Sequence, residues 1–103
     1  MGEWVWTWRG VSFGYIDRGE LRTHHGLHVG YIHDNFEIYG KDGYYLGEIK
    51  SENRLITDKR KVRKRKSRFT PKTKRAGRAK RANRAGRAMI ASHEDFPHPD
   101  TFR

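Results

Sequence analysis

The chain has 103 residues, with 23 Lys and Arg against 12 Asp and Glu, a formal net charge of +11 and no cysteine. That length allows one small domain with a modest core, and the missing thiols exclude thiolate catalysis, disulfide staples and thiolate zinc sites. No apolar run approaches the ~20 residues that span a bilayer, and the N-terminus lacks the basic start and apolar stretch of a secretory signal, so a cytoplasmic protein is expected.

From the N-terminus, a unit of sixteen to seventeen residues recurs three times: V-W-T-W-R-G-V-S-F-G-Y-I from Val5, L-R-T-H-H-G-L-H-V-G-Y-I from Leu21 and I-Y-G-K-D-G-Y-Y-L-G-E-I from Ile38. Each starts on an aliphatic residue and carries a first glycine (Gly10, Gly26, Gly43), a second glycine (Gly14, Gly30, Gly47) and a closing isoleucine (Ile16, Ile32, Ile49). Short runs rich in Trp, Tyr, Val, Ile and Phe, broken by glycine and free of proline, predict strands joined by tight turns to about Thr57. The first glycines sit where a hairpin reverses and positive φ is wanted. The second ones fall inside a strand, where a missing side chain marks a bulge or a close backbone approach. Stacked or radially arranged units follow, burying their apolar faces against one another.

A fourth unit begins at Leu55 or Ile56, but basic residues stand where its glycines belong. Two closures remain open: the last strand pairs with the basic stretch around Val62, or it closes against the Trp-rich first strand. Trp4, Trp6 and Trp8 alternate and so share one face. With the tyrosines they form either the core, which the scarcity of aliphatics favours, or a stacking platform for bases or sugars.

Residues 1–58 hold 6 basic and 9 acidic side chains, whereas residues 59–103 hold 17 and 3. Lys59, Arg60, Lys61, Arg63, Lys64, Arg65, Lys66, Arg68, Lys72 and Lys74 lead into Arg75, Arg78, Arg81, Arg84 and Arg87, spaced by three, with Lys80 between them. A stretch this charged and poor in large apolar groups predicts a disordered or partly helical tail. On a three-per-turn extended chain, by contrast, the five arginines form a single line.

The phrases G-Y-I-D-R-G-E-L (14–21), G-Y-I-H-D-N-F-E-I-Y (30–39) and G-Y-Y-L-G-E-I (43–49) resemble the four-fold beta flower domain, a small bacterial and phage module of four hairpin petals about a pseudo-four-fold axis. The resemblance covers roughly residues 4–58. It implies an all-β fold and brings no catalytic residues. The weak fourth unit and the long basic tail depart from that pattern.

The basic tail is the strongest functional signal, because fixed positive charges attract a phosphate polymer through counterion release. The expected protein is a non-enzymatic binder of DNA or RNA, largely indifferent to sequence and associated with the nucleoid or with RNA. The sixteen Lys and Arg side chains from Lys59 to Arg87 would make the phosphate contacts, and the β domain, 1–58, would serve as folded anchor and as a possible homo-oligomerisation unit. An acidic protein partner or an anionic membrane is the alternative. His24, His25, His28 and His33 crowd the second hairpin without a diagnostic spacing, and the carboxylates offer no nucleophile and base pair. No metal, cofactor or catalytic residue is expected. The acidic β half could latch the basic half when no partner is bound.

Overall fold

A computed structural model describes residues 3–102. Three hairpins share one build: β1 (Glu3–Thr7) with β2 (Ser12–Asp17), β3 (Glu20–Thr23) with β4 (His28–His33), and β5 (Glu37–Tyr39) with β6 (Tyr45–Lys50). Each reverses at its first glycine, with φ of +97°, +91° and +85° at Gly10, Gly26 and Gly43. The second glycines face the aliphatic residue of the partner strand, Gly14 opposite Val5, Gly30 opposite Leu21 and Gly47 opposite Ile38, and the register slips beside every pair. The next hairpin presses close there. A Cβ on Gly14 would lie 2.0 Å from the Arg22 carbonyl oxygen, and one on Gly47 would lie 2.6 Å from the Phe96 ring. Bulge and close approach thus occur together.

Successive hairpins pair edge to edge, β2 with β3, β4 with β5 and β6 with β7 (Arg54–Asp58). β7 then runs parallel to β1, with Trp6 opposite Arg54 and Thr7 opposite Leu55, which closes a seven-stranded barrel. Of the two closures open to the sequence, the one against the Trp-rich strand is observed. The stretch around Val62 is not the other partner of β7. The distant segment β8 (His93–Asp95) is, placing Ile56 opposite Asp95 and Asp58 opposite His93. β1 and β8 therefore share one edge of β7, and the fourth hairpin exists with residues 59–92 as its loop.

Alternation along β1 turns Val5 inward, and each hairpin sends one aliphatic residue to the same core: Val5, Leu21, Ile38 and Leu55. Phe13, Val29 and Phe96 complete the cluster, with Phe13 edge-on to Phe96 and Phe102 at 5.3 and 5.9 Å. The expectation that the tryptophans and tyrosines are core residues holds for Trp8, Tyr15, Tyr39 and Tyr45, which are buried, and is corrected for Trp4, Trp6 and Tyr31, which are half-buried, and for exposed Tyr44. Five aliphatics and two phenylalanines fill the central cluster, and the Trp4 and Trp6 indoles lie on the outer wall.

The expected disordered or partly helical arm is corrected as well. Among the described residues no α-helix forms. Residues 66–90 form no helix or strand and lie against the outer wall of the barrel, and the Cα radius of gyration is 12.6 Å, close to the ~13 Å of a compact 100-residue domain. The boundary drawn at residue 58 does not separate two bodies, because β8 and Phe96 belong to the barrel's own sheet and core. No described helix is long and apolar enough to cross a membrane.

Candidate nucleic-acid interface

An extended strap leaves its backbone N–H and C=O groups unpaired unless a neighbour meets them. Residues 59–92 solve this with a period of nine. Lys66, Arg75 and Arg84 donate backbone N–H bonds to the turn-glycine carbonyls of Gly43, Gly26 and Gly10 at 2.7, 3.1 and 2.8 Å. Three residues later in each case, Phe69, Arg78 and Arg87 donate to Lys41, His24 and Trp8 at 3.2, 2.7 and 3.4 Å. The chain is a belt that visits the third, second and first hairpins in that order before returning to β7 as β8. The turn glycines carry a second duty here. A Cβ on Gly10 or Gly26 would stand 2.0 Å from the carbonyl oxygen of Arg84 or Arg75.

What the belt's side chains meet changes from hairpin to hairpin. On the first, indole and guanidinium groups alternate: Arg81 over Trp4 at 5.2 Å, Arg84 over Trp6 at 3.5 Å and Arg87 over Trp8 at 5.6 Å, with Arg78 over Tyr15 at 4.1 Å. Trp6 and Trp8 also donate their indole N–H to the belt carbonyls of Ala82 and Ala88, both at 2.9 Å. The period-three arginines thus form one line, as an extended chain requires, and that line lies on the alternating aromatics of β1. The aromatic platform is covered by the chain's own cations.

On the second and third hairpins, carboxylates replace the indoles. Glu20, buried, is bonded by Arg22 at 3.0 Å and Lys72 at 2.7 Å. Glu37, also buried, is bonded by Lys61 and Lys64 at 3.1 and 3.0 Å and by the Tyr39 hydroxyl at 3.0 Å. Arg75 reaches Asp17 at 2.8 Å, Lys61 reaches Glu48 at 2.8 Å, Arg60 reaches Asp58 at 2.9 Å, and Arg87 pairs with Glu52. Buried Arg22 donates to the belt carbonyl of Thr73 and to Gly26. Phe69 stacks on His28 at 4.9 Å and meets Tyr31 at 4.6 Å, so the belt's one aromatic is an anchor.

These contacts set the protonation states. Burial alone would raise the Glu20, Glu37 and Glu48 carboxyls, but hydrogen bonds from Lys72 and Arg22, from Lys64 and Lys61, and from Lys61 and Tyr45 hold them below the ordinary glutamate range. Bonds from Arg75 and Arg60 hold Asp17 and Asp58 below theirs.

The sixteen cations expected to contact phosphate therefore fall into three groups. Arg60, Lys61, Lys64, Lys72, Arg75 and Arg87 pair with barrel carboxylates. Arg65, Lys66, Arg78, Arg81 and Arg84 lie over aromatic rings. Lys59, Arg63, Arg68, Lys74 and Lys80 are exposed and have no carboxylate partner among the described residues. Sequence reasoning missed the surfaces that receive the belt: the carbonyls of Gly10, Gly26 and Gly43, the outward indoles, and Glu20 and Glu37. Nine-residue spacing within the basic run was the available signal.

The four histidines of the second hairpin do not converge as a group: His28 packs on Tyr31 and Phe69, His33 on Tyr39, and His24 lies beside His25. A cavity of about 330 Å³ opens between the second and third turns, lined by Leu27, Val29, Leu46, Pro71, Phe102 and Lys41 among others. No family model, curated protein or solved structure matches this chain.

Proposed function

We propose that the protein is a non-catalytic nucleic-acid binder of the cytoplasm that presents its cations on a rigid girdle and binds the phosphate backbone with little regard to base sequence. The observation that carries this reading is the outer face of the belt. Arg63, Arg68, Lys74 and Lys80 are exposed and unneutralised, while Arg65 and Arg81 are exposed and fixed over aromatic rings. A cation already held in place loses less conformational freedom when it meets a phosphate than one on a free arm. Guanidinium adds two-pronged contact to phosphate oxygens. The resemblance to the beta flower domain is consistent with this closed barrel of hairpins and assigns it no chemistry of its own.

The test is a salt titration of the full chain against duplex DNA, single-stranded RNA and vesicles of anionic lipid. Nucleic acid should bind with a log–log salt slope of several units, and Arg68→Gln, Lys74→Gln and Lys80→Gln should each reduce that slope by about one while leaving the melting temperature unchanged. Unaltered slopes in the triple variant, or retention on vesicles without retention of oligonucleotide, would overturn the proposal.

A further inference from the structure

We propose that His24, His25 and Asp100 form a binding site for a single transition-metal ion of the zinc class, which fastens the C-terminal turn to the second hairpin. The two histidines occupy the turn between β3 and β4, where the reversal brings neighbouring side chains to one side, with ring centroids 3.9 Å apart. The third group comes from far along the chain. Asp100 lies in the short 3-10 turn Pro99–Phe102, and its carboxylate oxygen is 3.0 Å from His25 Nε2. One donor atom from each of the three lies within 4.8 Å of the others.

The setting holds these donors together before any ion arrives. Thr101 donates its backbone N–H and its hydroxyl to the His98 carbonyl, and the Asp100 N–H donates to His98 Nδ1, so the turn bearing the carboxylate is fixed by its own bonds. Phe102 of the same turn packs edge-on against Phe13 in the barrel core. The His24 carbonyl accepts the Arg78 N–H at 2.7 Å, which ties the histidine pair to the belt. Three segments meet here, and a shared ion would join the ends of a span of 75 residues between His25 and Asp100.

The other hairpins act as internal controls. Their first turns have the same glycine and the same backbone bonds but carry Trp8-Arg9 and Lys41-Asp42 where the second carries His24-His25. The turn itself therefore does not call for histidine. Two imidazoles and one carboxylate suit Zn²⁺, Co²⁺, Ni²⁺ or Cu²⁺ and disfavour Ca²⁺ and Mg²⁺, which take oxygen ligands. Tetrahedral donors at 2.0–2.1 Å from zinc lie about 3.4 Å apart, a spacing within reach of small side-chain rotations from the arrangement seen. Three protein ligands leave a fourth position for water.

The experiment titrates the full chain with Zn²⁺ by calorimetry and with Co²⁺ by visible absorption. One equivalent should bind, with ligand-field bands for cobalt, and excess zinc should raise the melting temperature. His25→Ala and the near-isosteric Asp100→Asn should each weaken binding at least tenfold without lowering the metal-free melting temperature, whereas His33→Ala should bind as the parent does. Equal affinity in the His24→Ala/His25→Ala double variant, or no saturable binding by the parent chain, would overturn the proposal.

Discussion

At the scale of single residues, a glycine does two separable things here. Gly19 and Gly26 both hold left-handed backbone, at φ of +80° and +91°, yet a Cβ on Gly19 would meet nothing within 4 Å, whereas one on Gly26 would strike the belt at Arg75. Forcing a non-glycine residue into that conformation costs about 1–2 kcal/mol. Gly19→Ala should therefore lose about 1 kcal/mol. Gly26→Ala should lose at least ~3 kcal/mol, because the belt must also give up its hydrogen bond and move; urea unfolding of the two variants measures the difference. Arg84 offers a second case, since its guanidinium covers Trp6 at 3.5 Å. Arg84→Ala should shift tryptophan emission to longer wavelength and cost about 0.5–2 kcal/mol.

Among elements, the contrast is between what neighbours in sequence reveal and what they conceal. The hairpins were legible because each turn and its bulge are specified within a dozen residues, from Val5 to Ile16 in the first. The belt was not, since disorder was inferred from its own lack of apolar groups while its receiving surface lies elsewhere: Ala82 is 76 residues from Trp6, and Thr73 is 51 from Arg22. The five arginines suggested a line, but only the outward indoles say what that line rests on. Glu20, Glu37, Glu48, Asp17 and Asp58 titrate below their ordinary values when folded. The unfolded chain consequently binds more protons in acid, so the stability these groups supply at neutral pH is lost as pH falls below about 4–5 and through the depressed folded values. Thermal melts should show a steep drop between about pH 5 and pH 3, and Glu37→Gln should flatten it. An unchanged melting temperature across that range would contradict the ion-pair account of the belt.

For the whole molecule, the last strand matters more than its three residues suggest. Phe96 is 2 % exposed and belongs to the core, and Asp95 accepts the Trp8 N–H at 2.8 Å, so the segment that follows the belt finishes the barrel. Phe96→Ala should cost about 3–5 kcal/mol. Truncation after Asp58 should abolish cooperative unfolding, as judged by circular dichroism and by the dispersion of amide resonances. A folded, cooperative 1–58 fragment would instead restore the boundary read from composition alone.

Because β7 and β8 are hydrogen-bonded to each other while residues 59–92 pass around the other three hairpins, the basic segment has no loose end from which to unwind. The pairing of residues 54–58 with 93–95 therefore joins parts of the chain separated by the whole belt. Such distant pairing should slow folding for a chain of this size, a rate that stopped-flow refolding measures. It also ties the girdle at both ends, so unfastening it requires breaking the β7–β8 pairing as well as the belt's own ion pairs.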